Sequence, residues 1–170
     1  EPAKINHGVK FQRIDLENQP ILPADINLVT DTQRSTTLEK DNVKIVTVEH
    51  LMSALYALGV NNVLIKMDSS EVPILDGSAK YFVEEIQKVG LKVQDAPLKY
   101  IDLPDPIHYT DPDSGSEILF VPTNNFIISV VLDYQNLALG TQYAEIRDLK
   151  DYSTEIAPCK TFVFLTELEK

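Results

Sequence analysis

The chain has 170 residues, of which 44% are hydrophobic and 24% charged, and its formal net charge is −11. This length and composition are those of a globular protein with one domain or two small ones. The acidic balance argues against binding to nucleic acid or to anionic membranes, because both demand a basic surface. A lone cysteine, Cys159, cannot form an internal disulfide, so a reducing cytoplasm is expected. No apolar run approaches the roughly 20 residues of a transmembrane helix.

The amino-terminal part of the chain is predicted to form short strands followed by an amphipathic helix. Residues 9–16 alternate apolar and polar side chains, which is the period of a half-buried strand, and residues 26–29 are a second strand candidate. Within residues 45–62 the apolar side chains recur at helical spacing, at Val48, Leu51, Met52, Leu55 and Leu58. Thr47 is placed as the N-cap of this helix and Gly59 as the residue that ends it.

A strand at residues 63–67 leads to a turn and a second helix. Asp76 and Gly77 are a turn signal. Ser78 is placed as the cap of a helix whose apolar residues are Ala79, Phe82, Val83, Ile86 and Val89, and Gly90 ends it. The order strand, helix, strand, turn, helix predicts a two-layer unit with both helices on one face of a mixed sheet.

A second series of elements follows a connector at residues 93–98. Strands are predicted at 99–103, 117–121, 126–133, 142–146 and 160–164, with a turn-rich loop at 104–116, a helical segment at 148–156 and a helix that starts at 165. The element order predicts an α+β fold of two similar two-layer α/β sandwich domains. We place the first domain at residues 1–95 and an incomplete second domain at residues 96–170.

Glu49 and His50 are adjacent in the first turn of the predicted helix, off its apolar stripe. Unpaired N–H groups and the helix dipole favour negative charge there and disfavour positive charge. We therefore expect an ionised Glu49 and a neutral His50, the form of imidazole that binds a metal. A metal hydrolase needs such a pair, one group to hold zinc and one to take a proton from water. Both residues are also common in first helical turns, so an ordinary surface role is the alternative.

Three separated stretches together resemble one family: VTVEHLMSALYALGVNN at 46–62, SSEVPILDGSAKYFVEEI at 69–86 and APCKTFVFL at 157–165. The chain resembles, from about residue 11 onward, the zinc-dependent UDP-3-O-acyl-N-acetylglucosamine deacetylases of bacterial lipid A synthesis. Three motifs in the right order are far more specific than the Glu-His pair alone. The resemblance implies two domains, each with a pair of helices packed on a sheet, and an active site between them.

The resemblance also implies a cofactor and a reaction. Members of the family hold one zinc ion with two histidines and an aspartate, and His50 matches the first of those histidines. Glu49 matches the general base that precedes it. The reaction is hydrolysis of the N-acetyl amide of a UDP-sugar lipid, UDP-3-O-(3-hydroxyacyl)-N-acetylglucosamine.

Four further residues match positions that contact the substrate in the family. Thr161 matches the threonine that helps to stabilise the oxyanion, and Phe162 matches the phenylalanine that contacts the substrate. Asp133 and Tyr134 match an acid–aromatic pair that contacts the uridine. On residue pattern alone, Asp133 and Tyr134 are ordinary strand-end residues, and Thr161 and Phe162 are ordinary strand formers.

Several family motifs are missing from the chain. The H-K-x-x-D motif with the other two zinc ligands is absent, as are the downstream general-acid histidine and the early G-V-G-L-H-T-G motif. The remaining histidines, His7 and His108, lack the required neighbours. We expect a clipped first domain and the opening of the second. With one zinc ligand of three, this stretch is expected to bind zinc weakly or not at all, and to be inactive alone.

Two rival interpretations stay open. The chain could be a metal-free binding module of the same fold, although the intact T-V-E-H and K-T-F motifs argue against it. It could also be the deacetylase half of a bifunctional deacetylase/dehydratase, which it resembles in V-L-D-Y and A-P-C-K-T-F. Cys159 is predicted to be a small buried hydrophobe, His108 an exposed loop residue, and Asp76 with Gly77 a turn without catalytic function.

Overall fold

Strands and two α-helices make up the first part of the chain, and strands with short helical turns follow. The computed structural model describes residues 1–165. In these residues the strands are β1 (Val9–Arg13), β2 (Ile21–Pro23), β3 (Val29–Asp31), β4 (Thr37–Lys40), β5 (Val43–Ile45), β6 (Val63–Met67), β7 (Ile107–Thr110), β8 (Glu117–Phe120), β9 (Ile128–Asp133) and β10 (Thr141–Ile146). The α-helices are α1 (Glu49–Ala57) and α2 (Lys80–Val89), and shorter 3-10 or π-helical turns lie at Ile26–Leu28, Leu149–Asp151 and Tyr152–Ile156. The fold is therefore α+β, as predicted.

The chain divides into two compact units. The first comprises Glu1–Gln94 together with the residues from Leu149 onward, and the second comprises Asp95–Asp148. The predicted domain bounds at 1–95 and 96–170, and the sandwich arrangement of each domain, stay predictions. Among residues 1–165, no helix combines the length and the apolar character needed to cross a lipid bilayer.

The first unit contains two small sheets. In one, β1 pairs antiparallel with β2 and parallel with β6, with Phe11 opposite Leu22 and Ile65. In the other, the order β3-β4-β5 is antiparallel throughout, with Leu38 opposite Ile45. The parallel β1–β6 pair requires a long crossover, and that crossover carries helix α1.

One hydrophobic cluster joins these sheets to the helices. Its buried members are Phe11, Leu22, Leu38, Ile45, Val48, Met67 and Val72. Leu51 and Met52 of α1 and Phe82 of α2 pack against it. Each large apolar side chain buried in this way stabilises the fold by about 1.5–3 kcal/mol relative to an exposed one. Because Ile45 ends β5 and Val48 precedes α1, the cluster also fixes the start of that helix.

The second unit contains two antiparallel pairs of strands. Strand β7 pairs with β8, and β9 pairs with β10. The side chains of β7, β8 and β9 are exposed along their whole length. Strands at 117–121, 126–133 and 142–146 were predicted at these places, and the structure confirms them to within two residues at each end.

Some sequence predictions are wrong. Residues 26–28 form a 3-10 turn, because the Asp25 carboxylate accepts a 2.9 Å hydrogen bond from the Asn27 amide and caps it. Residues 99–103 and 160–164 lie outside any strand. The predicted helix at 148–156 is a 3-10 turn followed by a π-helical turn. The helix predicted to start at 165 lies almost entirely outside the described residues.

The ends of the two α-helices were predicted more accurately than their beginnings. Gly59 and Gly90 follow α1 and α2 with φ of 72° and 80°, the left-handed conformation that glycine adopts readily. Ser78 is not the N-cap of α2, since that position belongs to Ala79. Its hydroxyl nevertheless accepts a 3.2 Å hydrogen bond from the Lys80 amide in the first turn.

Candidate active site

Glu49 and His50 open helix α1, as predicted, but Thr47 does not cap it. The N-cap is Val48, which provides no side-chain hydrogen bond. Thr47 has φ of 62°, an unusual value for a β-branched residue. Its hydroxyl donates a 2.9 Å hydrogen bond to Oε1 of Glu71. The hydrogen-bond partner of the Thr47 hydroxyl is therefore the Glu71 carboxylate and not a backbone amide in the first turn of α1.

The backbone just before α1 is hydrogen-bonded to the second motif stretch, residues 69–86. The Val46 amide donates to the Ser70 carbonyl at 2.8 Å, and the Val72 amide donates to the Val46 carbonyl at 3.0 Å. Together these bonds form a parallel bridge between Val46 and Glu71. The backbone just before T-V-E-H is therefore hydrogen-bonded to the S-S-E-V-P stretch, a contact that spacing along the chain did not reveal.

The carboxylate of Glu49 has a defined partner. Its Oε2 accepts a 2.9 Å hydrogen bond from the Thr36 amide. The Val48 amide donates in return to the Thr36 carbonyl at 3.3 Å. Glu49 is half-buried, so this amide restricts the carboxylate at the helix start. Sequence reasoning missed Thr36, because it lies in a polar segment without periodicity.

His50 is half-buried and is connected through its backbone to a distant tyrosine. The Ser53 hydroxyl donates a 2.8 Å hydrogen bond to the His50 carbonyl. Ser53 Oγ also lies 2.6 Å from the hydroxyl of Tyr152, whose residue is only 6% exposed. Burial raises the pKa of Tyr152. Sequence reasoning missed both residues, since the sequence does not show that a tyrosine about 100 positions away bonds to Ser53.

Thr161 is held by the turn that precedes α2. The Thr161 amide donates a 2.8 Å hydrogen bond to the Gly77 carbonyl. The Lys160 ammonium lies 3.3 Å from Oδ2 of Asp76. The Ser78 hydroxyl, and after it Lys160, keeps the pKa of the Asp76 carboxyl below its usual range. The predicted turn is confirmed, and it also connects the second and third motif stretches.

Phe162 is 57% exposed. Its ring meets the ring of Phe164 edge to face, with 5.5 Å between centroids. A partly exposed aromatic side chain next to Thr161 can contact an apolar part of a ligand. Cys159, predicted to be buried, is exposed instead, with Sγ 3.2 Å from the Glu155 carbonyl.

Asp133 and Tyr134 lie in the second unit, whereas the other four predicted site residues lie in the first. Asp133 is the last residue of β9, and its Oδ1 accepts a 3.0 Å hydrogen bond from the Gln135 amide. The Tyr134 amide donates to the Gly140 carbonyl at 3.2 Å. Asp133 therefore ends β9, and Tyr134 begins the loop between β9 and β10.

The described residues do not form a complete metal site. His50 has the chemistry of a zinc ligand, a half-buried imidazole at a helix start. Within residues 1–165, no three His, Cys, Asp or Glu side chains come close enough together to hold a metal ion. His108, predicted to lie in a loop, is exposed in strand β7 with Nε2 3.8 Å from Oε1 of Glu117. These residues alone do not form a complete set of donors.

Comparison with known proteins identifies the family. The family model described as LpxC, UDP-3-O-acyl N-acetylglycosamine deacetylase, matches residues 1–170. The bifunctional enzyme LpxC/FabZ of Bacteroides thetaiotaomicron is 45% identical over 168 residues, which are 99% of this chain and 36% of that protein. The UDP-3-O-acyl-N-acetylglucosamine deacetylase of Chromohalobacter salexigens is 39% identical over 175 residues, which cover 99% of this chain and 56% of that protein.

A third relative agrees with these two. The UDP-3-O-acyl-N-acetylglucosamine deacetylase of Thermosynechococcus vestitus is 36% identical over 169 residues, 99% of this chain and 58% of that protein. The chain thus spans between about a third and just over half of the length of these relatives. The resemblance inferred from the three motif stretches is confirmed, and the chain belongs to the UDP-3-O-acyl N-acetylglycosamine deacetylase family.

Proposed function

We propose that the complete protein is a zinc-dependent deacetylase of the bacterial cytoplasm that acts in lipid A biosynthesis. Its substrate is UDP-3-O-(3-hydroxyacyl)-N-acetylglucosamine, from which it removes the N-acetyl group. The observation that carries this proposal is the Glu49–His50 pair at the start of α1, within a chain that matches the deacetylase family from end to end. The bond from the Thr36 amide to Glu49 supports it, because a base must be held in position to act.

Glu49 acts as the general base in this proposal. Its carboxylate takes a proton from water as the water oxygen attacks the acetyl carbonyl carbon. The C–N bond then breaks, acetate leaves, and the glucosamine nitrogen gains a proton to become a free amine. His50 is one ligand of a zinc ion whose other ligands belong to the complete protein. When bound, zinc supplies Lewis-acid polarisation of the carbonyl and a lowered pKa of water.

The remaining site residues bind and orient the substrate. The Thr161 hydroxyl stabilises the negative charge that develops on the acetyl oxygen. Phe162, with its exposed ring, contacts the substrate. Asp133 and Tyr134 contact the uridine, and the tyrosine ring stacks on the base.

The substitution Glu49→Gln in the complete protein tests this function. Glutamine keeps an oxygen that can accept the Thr36 amide but cannot take a proton from water. We expect turnover to fall about 10²–10⁴-fold, with zinc content unchanged. Glu84→Gln on the exposed part of α2 is the matched control and should leave turnover intact. His50→Ala should lower the zinc content itself. Near-normal turnover in Glu49→Gln would reject the assignment of the base.

The isolated 170-residue stretch allows a second test. We propose that it binds zinc weakly or not at all and has no deacetylase activity. Metal analysis after dialysis against zinc should find well under one ion per chain, and tight stoichiometric binding would refute this. If the complete protein also lacks zinc and turnover but binds the UDP-sugar lipid, it is a metal-free binding module instead.

A bifunctional enzyme is the second candidate. Three relatives named bifunctional enzyme LpxC/FabZ are 45%, 41% and 38% identical to the chain. In that case the complete protein also carries a 3-hydroxyacyl-acyl-carrier-protein dehydratase. Measuring the dehydration of such a thioester by the complete protein, next to its deacetylase activity, distinguishes the two forms.

A further inference from the structure

Two hydroxyl groups connect the interior of the first unit to the backbone of His50. The Tyr152 hydroxyl lies 2.6 Å from Ser53 Oγ, and Ser53 Oγ lies 2.8 Å from the His50 carbonyl oxygen. Tyr152 belongs to the segment that precedes the K-T-F motif, whereas Ser53 and His50 belong to α1. The chain of hydroxyls therefore joins two stretches of the proposed site that are far apart in sequence.

The direction of each hydrogen bond follows from the number of protons. A serine hydroxyl has one proton, and Ser53 gives it to the His50 carbonyl. The Tyr152 hydroxyl must therefore be the donor to Ser53 Oγ. Hydrogen bonds that run in one direction polarise and strengthen each other, particularly away from water. Tyr152 is only 6% exposed, so this chain of bonds has little competition from solvent.

The first turn of α1 needs such support because its own cap is weak. Val48 occupies the N-cap position and makes no side-chain hydrogen bond. A serine or threonine at this position would accept a hydrogen bond from an amide of the first turn and stabilise it. The turn is held instead from outside, by the Thr36 amide on Glu49 and by the Tyr152–Ser53 chain on His50. These two supports act on the two residues proposed to do the chemistry.

We propose that Tyr152 is a positioning residue of the zinc site: acting through Ser53, its hydroxyl fixes the backbone of His50 and with it the direction of the imidazole. This inference rests on the proposed function, because it assumes that His50 binds zinc. Groups one step removed from a ligand hold its orientation, and their loss weakens metal binding even though they never touch the metal.

Removing single hydroxyls from the complete protein tests the proposal. Tyr152→Phe keeps the ring that fills the interior, and Ser53→Ala favours the helix, so both variants should fold. We expect each to weaken zinc binding about tenfold, the lower end of the range for groups that orient a ligand. Zinc affinity is measured by competition with a chelator, and folding by thermal melting. Ser53→Thr keeps the hydroxyl and should restore binding, while Tyr81→Phe on the exposed side of α2 is the control.

The double variant separates a positioning role from a general loss of stability. If Tyr152 acts through Ser53, the loss of zinc affinity in the double variant equals that of either single variant. Additive losses, or unchanged zinc affinity in both single variants, would overturn the proposal. If wild type binds zinc and His50→Ala abolishes binding, such a result leaves the proposed function standing. If wild type binds no zinc, the proposed function fails first and this inference fails with it.

Discussion

The amide of Thr161 donates a 2.8 Å hydrogen bond to the carbonyl of Gly77. This bond holds the proposed oxyanion-stabilising residue against the turn before α2, in a segment that has no strand neighbours. Gly77 has φ of +84°, so the direction of its carbonyl depends on a conformation that other residues rarely adopt. The glycine of the D-G-S sequence thus has a role in placing Thr161.

Gly77→Ala should destabilise the protein and misplace Thr161. A Cβ at this position would lie 3.6 Å from Thr161 Cγ2, an ordinary contact, so the cost is backbone strain. We expect the free energy of unfolding to fall by about 1–2 kcal/mol, measured by urea denaturation, and turnover of the complete protein to fall as well. Gly8→Ala is the matched control, since Gly8 has φ of +73° and open space around it. It should lose similar stability but no turnover. Equal turnover in both variants would contradict the role of Gly77.

Arg13→Lys should destabilise the first unit. Arg13 is 8% exposed, and its Nε and Nη2 donate to the two oxygens of Asp15 at 2.8 and 2.6 Å. Its Nη1 donates to the Lys44 carbonyl at 3.1 Å, so the side chain links strand β1 to β5 of the other sheet. Lysine cannot reproduce this forked geometry. We expect the free energy of unfolding to fall by about 1–3 kcal/mol, measured in urea.

The control for Arg13 is an exposed ion pair. Lys66 Nζ lies 2.7 Å from Oε1 of Glu1, with both side chains largely in solvent. Exposed pairs of this kind contribute little to stability, so Lys66→Met should leave the urea midpoint nearly unchanged. A similar loss in Lys66→Met and Arg13→Lys would mean that the burial and forked bonding of Arg13 are not what stabilises the unit.

Glu145 should make the second unit sensitive to acid. The Ser129 hydroxyl, followed by Arg147 and Tyr143, lowers the pKa of Glu145 from 4.5 to about 2. Because the folded pKa is depressed, the stabilisation is present above pH 4.5 and is lost as the pH falls towards 2. Glu145→Gln should therefore be less stable than wild type at pH 6, with the difference shrinking at pH 3. Circular dichroism during urea denaturation measures this, and a difference independent of pH would contradict it.

The difference in stability between wild type and Tyr152→Phe should change at alkaline pH. Burial raises its pKa above the usual value of 10.0. The protonated form is therefore favoured by folding, and its contribution is present below pH 10 and lost as the pH rises through the folded pKa. The advantage of wild type over Tyr152→Phe in thermal melting should be constant from pH 7 to 9 and should decrease above 10. An advantage that persists unchanged at pH 11 would show that the hydroxyl is not buried.

The local pattern of the sequence was enough for α1 and for strands β8, β9 and β10 of the second unit, but not for β7, which lies in a segment predicted to be a loop. The spacing of Leu51, Met52 and Leu55 defines a helical face, and Gly59 supplies the left-handed residue that ends the helix. Both depend on interactions between residues a few positions apart. The same local reasoning placed Glu49 and His50 in the first turn, and their neighbours carried the family resemblance.

Contacts between distant parts of the chain decided which partners the polar side chains and the backbone of the candidate site bond to. The Thr47 hydroxyl bonds to Glu71 instead of capping α1. Thr161 bonds to a loop carbonyl instead of a strand. Tyr152 reaches Ser53 from a segment whose pattern predicts only a helix. Periodicity along the chain carries no information about such partners, because each polar group bonds to whichever donor or acceptor the folded core brings within 3 Å or so.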